Sequence, residues 1–200
     1  ADQLSLLPLP CPAILVGGTN GKGTTVTCLE QCYLSQGYRV FASISPTLLN
    51  YNERLRINGT EATDELFCAA FTAIEAVRGT TPLTFFEFSV LAVLWIIKKI
   101  CAENNFEKTV ALLEIGLGGR LDAFNIVNPV LSIITSIDLD HEAILGSTRE
   151  AIAVEKAGIL RAHRPAVCGD FNPPHTLIDY ARTHHVPLLY LKPHLEYVNA

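Results

Sequence analysis

Between Val16 and Val26 the chain reads VGGTNGKGTTV. Its glycines let ligand oxygens approach the backbone closely, and Lys22 adds a point charge. Between a strand and a helix, such a turn aims N–H groups and a positive helix end at one spot. The chemistry this offers is the binding of phosphate oxygens. Thr24 or Thr25 could present a hydroxyl to a metal ion. The stretch departs from the G-x-x-x-x-G-K-[ST] signature, because Gly23 follows Lys22 and Val16 stands where the first glycine belongs. The plainer alternative is a glycine-rich turn with a solvated lysine.

Other chemical residues stand at the ends of apolar runs. Glu114 closes TVALLE, where a carboxylate can hold Mg²⁺ or bond to glycine N–H groups of the following loop. Ser45 and Pro46 follow RVFAS. His141, in DLDHE, is either a metal ligand or a surface histidine; Asp138 and Asp140 read as loop acids that cap the turn. Lys156, among Ala and Ile in AVEKAGI, is expected to be partly buried, where an ammonium is costly, or else to snorkel to solvent. TFFEF (84–88) is either core packing with an acid in a helix's first turn, or an aromatic pocket for a planar ring.

The elements that would position these groups alternate. Strands are expected at 13–17, 39–45, 109–116 and 130–137, and later in AVCG and PLLYL. Helices are expected at 24–36 with Gly37 as a stop, at 63–77 capped by Thr63, at 84–104, at 148–160 and near 177–184. NERLRING reads as an exposed loop or ribbon. Strand–helix alternation with apolar strands predicts an α/β fold, a mostly parallel sheet flanked by helices on both faces. Ligands of such sheets sit beyond the carboxyl ends of the strands, where these residues collect.

Composition bounds the class. With 49% hydrophobic and 18% charged residues the chain is globular, and a net charge of −5 gives no broad basic footprint for nucleic acid. The run FFEFSVLAVLWIIKKI is too interrupted for a spanning helix and predicts a buried one. None of the six cysteines forms a CxxC pair, and Cys28 and Cys32, four apart on an expected helix, are poorly placed for a disulfide, so they are expected to be buried thiols in a reducing cytosol. The chain begins at Ala1 and holds no Met, so it is expected to be trimmed.

Six ordered segments together resemble the folylpolyglutamate synthase/dihydrofolate synthase family of the Mur-ligase superfamily. They are GTNGKGT (18–24), SPTLLNYNERLRING (45–59), LTFFEF (83–88), LLEIGLGGRLDAFNIV (112–127), SIDLDHEAILG (136–146) and EKAGI (155–159). In that family a glycine after the loop lysine is normal. The resemblance implies that Gly18, Thr19, Asn20, Gly21, Lys22, Gly23 and Thr24 bind ATP phosphates. It implies a first Mg²⁺ at Ser45 and Glu114 and a second contacted by His141. Lys156 matches a lysine that is carbamylated, and Lys22, His141 and Lys156 are the implied catalytic groups. Thr84, Phe85, Phe86 and Glu87, with Leu121, Asp122 and Ala123, match segments that line a pteroate pocket.

The implied reaction is ATP-dependent ligation of L-glutamate to dihydropteroate or a folate through an acyl phosphate, by a cytoplasmic monomer without nucleic-acid or membrane partners. Thr47 and Phe124 depart from the family pattern, where His and Thr are common. Family members are about twice as long, so residues 1–200 are expected to be an incomplete ATP-binding domain of the Mur-ligase central type, with little activity alone. The alternatives are a Mur-superfamily ligase acting on a cell-wall precursor, a GTPase-type switch, for which an N-K-x-D run is missing from the sequence, and a non-catalytic nucleotide-binding fragment.

Overall fold

The computed structural model describes residues 1–103 and 107–190, and the backbone of 196–198. By internal contacts the chain divides into two compact units. One comprises Ala1–Ala13 and Val26–Leu113, the other Ile14–Thr25 and Glu114–Ala200.

The first unit carries four strands, in the order β4 (Thr60–Glu61), β3 (Leu55–Ile57), β2 (Arg39–Ser43) and β5 (Thr109–Glu114). β2 and β5 run parallel, with Arg39 opposite Thr109 and Ser43 opposite Leu113. β3 and β4 form an antiparallel ribbon on β2; NERLRING supplies β3 and the turn before β4, and it is not exposed throughout, because Arg54 and Leu55 are buried. β5 is buried at every position, the mark of a strand covered on both faces.

Helix α2 (Asp64–Arg78) starts where Thr63 accepts the Leu66 N–H, as its cap position predicts, and packs on α3 (Phe85–Glu103). α3 buries Val90, Val93, Leu94, Ile96 and Ile97, as its apolar run predicts. The expected end of this helix, at Asn104, lies outside the described residues.

Helix α1 (Lys22–Ser35) corrects the expectation for its cysteines. Cys28 and Cys32 are free thiols but exposed. The helix buries only Val26 and Glu30, four residues apart on one stripe, and both cysteines fall off that stripe. Glu30 is 1% exposed and receives Arg56 of β3, Nε at 2.9 Å and Nη2 at 2.5 Å. An acid inside an apolar stripe is tolerated because a guanidinium meets it with two donors.

The second unit carries β1 (Ala13–Gly17), β6 (Leu131–Ile134), β7 (Ala166–Cys168), β8 (Leu188–Tyr190) and β9 (Glu196–Val198), in that order. The first four run parallel, with Ile14 opposite Leu131 and Gly17 opposite Ile134; β9 closes the edge antiparallel. Helices α4 (Glu142–Leu145), α5 (Arg149–Ala157) and α6 (His175–Thr183) belong to this unit, and α5 packs on α6. The sheet is thus parallel in the main, with flanking helices, and mixed at its margins. Among the described residues no helix is long and apolar enough to cross a membrane.

Removing one member of a buried ion pair strands the other. Glu30→Ala is therefore expected to cost about 3 kcal/mol of stability. Urea unfolding measures this; an unchanged midpoint would show the pair to be dispensable.

Candidate functional site

The phosphate loop begins where β1 ends. Gly18 has φ +143°, and a Cβ there would meet Thr135 Oγ1 at 1.8 Å, so only glycine fits. The loop lies on the residues that follow β6. Thr135 N–H donates to Gly17 O at 2.9 Å, and its hydroxyl donates to Gly17 O and Asn20 O at 3.2 and 2.6 Å. Thr19 N–H reaches Ser136 O at 2.8 Å, and Asn20 N–H reaches Ser136 Oγ at 3.1 Å. This explains why β6 stops at Ile134 rather than at the expected Ile137. Thr135 and Ser136 serve the loop, and Ile137 serves a side-chain pair described below.

Lys22 opens α1 and folds back, its ammonium donating to Gly18 O and Thr19 O at 3.0 Å each. The N–H groups that open a helix have no carbonyl within the helix to reach, although here Thr25 N–H already reaches Gly21 O at 2.9 Å. Thr25 spends its hydroxyl on Gly21 O at 2.9 Å and Thr19 shares its own with Asp138. Of the two hydroxyls offered to a metal by the sequence, Thr24 is the one without a partner among the described residues, and it is exposed.

Glu114, 3% exposed, stands against this loop. A Cβ built on Gly23 would lie 3.4 Å from its Oε2. The next turn is governed by Asp122. Its Oδ2 accepts N–H groups of Gly116 and Leu117 at 2.9 and 3.1 Å, and its Oδ1 accepts Phe124 N–H at 2.9 Å. β5 ends at Glu114 and not at Gly116 because the Gly116 N–H is taken by this carboxylate. Burial pushes the Asp122 carboxyl up, against the pull of those donors and of the Lys22 charge. Leu121 beside it is exposed and Ala123 half-buried. Phe124 is buried, so the departure from a hydroxyl residue there adds to the core of this unit.

Lys156 lies in the last turn of α5 and is 2% exposed. Among the described residues its ammonium has no hydrogen-bond partner. Burial lowers its pKa to about 8, helped by the nearby Lys22 charge and opposed by Asp140. At pH 7 roughly a tenth of such a lysine is a neutral amine, against a few parts in ten thousand ordinarily. The turn is held from outside. Arg120 N–H donates to Glu155 O at 2.7 Å, and its guanidinium pairs with the Glu155 carboxylate at 2.9 Å. Asn125 bridges Arg120 O and Gly158 O, and Arg161 reaches Asn125 and Val127. A Cβ on Gly158 would lie 2.5 Å from Arg120 Cα, so the two backbones touch.

His141 precedes α4 with a left-handed backbone, φ +50°, and its side chain is 56% exposed, 3.7 Å from Asp140. Sequence reasoning read Asp138 as a capping acid. Its carboxylate does accept Leu139 N–H, but its backbone does more, exchanging N–H and C=O bonds with the Thr19 hydroxyl at 3.0 and 3.2 Å. Among the described residues no three His, Cys, Asp or Glu form a metal cage. A hard cation that takes most of its ligands from phosphates and water needs only one or two carboxylates, and Glu114 and Thr24 fit that pattern.

The other predicted residues belong to the first unit. Ser45 follows β2 and precedes a cis bond to Pro46. Glu53 accepts the N–H groups of Leu48, Leu49 and Asn50 at 2.6, 2.8 and 3.0 Å, which fixes the loop after Thr47 and holds the Glu53 carboxyl low. Thr84 and Glu87 cap α3 reciprocally, the carboxylate accepting Thr84 N–H and O–H at 2.7 Å each. Exposed Phe85 meets Tyr51 edge-on at 5.9 Å, and Phe86 lies under the Arg54 guanidinium at 5.8 Å. Tyr51 also touches Phe67 and Phe71 and donates to Ser89 Oγ at 2.9 Å, an aromatic cluster that the sequence pattern did not show.

Because Arg120 leaves no room for a methyl group at Gly158, Gly158→Ala is expected to cost about 2 kcal/mol. Faster amide hydrogen exchange across residues 116–126 would accompany the loss; wild-type exchange there would show that this contact does not hold the turn.

Known proteins share this arrangement. No family model matches the chain. The dihydrofolate synthase/folylpolyglutamate synthase of Haemophilus influenzae is 50% identical over 186 residues, 92% of this chain and 41% of the relative. That of Escherichia coli is 44% identical over 183 residues, 91% of this chain and 42% of the relative. A structure of E. coli FolC in complex with DHPP and ADP superposes with a TM-score of 0.87 at 39% identity, covering 100% of this chain and 49% of that one. A bifunctional folylpolyglutamate synthase/dihydrofolate synthase with Mn, AMPPNP and L-glutamate bound gives 0.86 at 44% identity, covering 95% and 45%. The chain thus spans less than half the length of the curated relatives it matches. Over the residues it spans, the chain is a close homologue of the dihydrofolate synthase/folylpolyglutamate synthases.

Proposed function

We propose that this chain supplies the phosphate-handling part of an ATP-dependent amide ligase, an ATP-binding domain of the Mur-ligase central type. The ligase joins L-glutamate to dihydropteroate, to the glutamate tail of folates, or to both. The observation that carries the reading is the convergence in one unit of an anion-binding loop with Lys22, a buried carboxylate at Glu114 and a buried, unpartnered amine at Lys156. Relatives of the same family have been captured with ADP and DHPP, and with Mn, AMPPNP and L-glutamate. The reading carries with it a cytoplasmic, monomeric enzyme that handles small molecules only.

The substrate carboxylate attacks the γ-phosphorus of ATP, giving an acyl phosphate and ADP. The amine of L-glutamate then attacks the acyl carbon, and the tetrahedral adduct collapses to the amide and inorganic phosphate. Gly18 to Thr24 cradle the phosphates through N–H groups other than those of Thr19 and Asn20, which Ser136 takes, and Lys22 swings from its carbonyls to the terminal phosphates. Glu114 would hold one Mg²⁺ and His141 would contact a second. Bound there, the ions supply neutralisation of charge along the phosphate chain. Lys156, poised near neutrality, reacts with CO₂ at its free amine and loses a proton, and the resulting carbamate is an anion in place of a costly buried cation. Thr84 to Glu87 and Leu121 to Ala123 are each matched by resemblance to a pteroate-binding segment.

The full-length protein is expected to consume ATP only when dihydropteroate or a folate is present with glutamate and Mg²⁺. An ATPase indifferent to pteroates but stimulated by a cell-wall nucleotide precursor would sink the folate reading. Lys22→Ala is expected to lower kcat by about 10³-fold; a wild-type rate would remove the lysine from phosphate chemistry. Lys156 is expected to gain the mass of CO₂, more so as pH rises through about 8, where the folded amine loses its proton. An unmodified amine throughout that window would remove the carbamate.

A further inference from the structure

Arg149 and Asp170 grip the backbone of a single residue from both sides. Arg149 Nε donates to Ile137 O at 2.7 Å, and Ile137 N–H donates to Asp170 Oδ2 at 2.8 Å. The two side chains close the ring on each other, Arg149 Nη2 to Asp170 Oδ2 at 3.0 Å. Asn172 completes the frame, its N–H on Asp170 Oδ1 at 2.8 Å and its carbonyl accepting from Arg149 Nη2 at 3.1 Å. Ile137 is 1% exposed, so both backbone polar atoms of a buried residue are satisfied by one ion pair.

Location gives this frame its meaning. Ile137 is followed by Asp138, whose N–H and C=O are held by Thr19 of the phosphate loop. Two consecutive residues are thus fixed, one by the ion pair and one by the loop. Leu139, Asp140 and His141 project beyond them, all exposed, into the left-handed turn that starts α4. Arg149 is also the first residue of α5, and Lys156 lies seven residues, close to two turns, further along. The same guanidinium therefore holds the root of the His141 arm and the helix that carries Lys156. A lysine in its place could supply the charge but not the planar fork that spans Ile137 and Asp170 together.

We propose that the Arg149–Asp170 pair is a positioning device that sets the His141 arm relative to Lys156. The proposal rests on the reading of His141 as a metal contact given above. The pair touches no substrate atom; it acts through Ile137.

The test uses the full-length protein as Arg149→Lys, Asp170→Asn and His141→Ala, and as the Arg149→Lys/His141→Ala double variant. Three quantities are read: Mn²⁺ affinity by calorimetry with AMPPNP present, kcat against KM for ATP, and Tm. Arg149→Lys and Asp170→Asn are each expected to weaken Mn²⁺ binding and lower kcat by about tenfold, with KM for ATP within about twofold. In the His141→Ala background, Arg149→Lys is expected to add nothing to the loss of Mn²⁺ affinity. A fall in Tm with Mn²⁺ affinity and kcat unchanged would make the pair a plain structural brace and overturn the proposal. So would a full effect of Arg149→Lys in the double variant. If His141→Ala leaves Mn²⁺ affinity intact, the assignment of His141 fails and the proposal fails with it. If His141→Ala weakens binding and neither other variant does, the role of the pair alone fails.

Discussion

Gly18 and Thr135 approach so closely that no side chain fits between them, and the phosphate loop depends on that contact. A loop of glycines has little shape of its own, because each glycine carries a large conformational entropy into the unfolded state. The three bonds that Thr135 gives to Gly17 and Asn20, with the two that Ser136 receives from Thr19 and Asn20, replace that missing stiffness. The parallel register of β1 and β6 brings these residues level. The loop is thus shaped from behind, which leaves its front for an anion.

Much of this was legible in the sequence for physical reasons. β1 and β5 are short apolar runs, and each lies buried along its whole length. The cap of α2 announced itself through Thr63, whose hydroxyl accepts the expected N–H group. The loop, Glu114 and Lys156 were recognisable as polar groups at the ends of apolar segments. What was not legible depends on tertiary partners. Cys28 and Cys32 read as buried because thiols usually are, yet the stripe that α1 buries runs through Val26 and Glu30. Nothing local in the sequence distinguishes Glu30 from a surface acid; Arg56, twenty-six positions away, makes its burial tolerable. The ends of β5 and β6 were misplaced because side chains elsewhere, Asp122 and Asp170, claim N–H groups that a longer strand would have used.

A second theme is how often one acid organises several backbone donors. Glu53 gathers three N–H groups after Ser45-Pro46, Asp122 gathers three after β5, and Asp170 gathers two after β7. Each holds a stretch that follows a strand's carboxyl end, where the chain must turn without ladder partners. A carboxylate is suited to this because its two oxygens accept several bonds at once, each charge-assisted. Rigidity at the strand ends therefore comes from a few acids rather than from extended hydrophobic packing of the loops.

The posture of Lys22 has a consequence for what the loop admits. With its ammonium donating to two of the loop's own carbonyls, Lys22 keeps one N–H donor for a ligand. An anion that is to take all three must replace both bonds, oxygen for oxygen. A chain of phosphates can do so, since its non-bridging oxygens are spaced to meet the ammonium and the helix N–H groups together. A halide or a lone carboxylate can satisfy only part of that exchange. The loop behaves as a competitive filter, in which the protein's own carbonyls are the rival ligand that such an anion has to outbid.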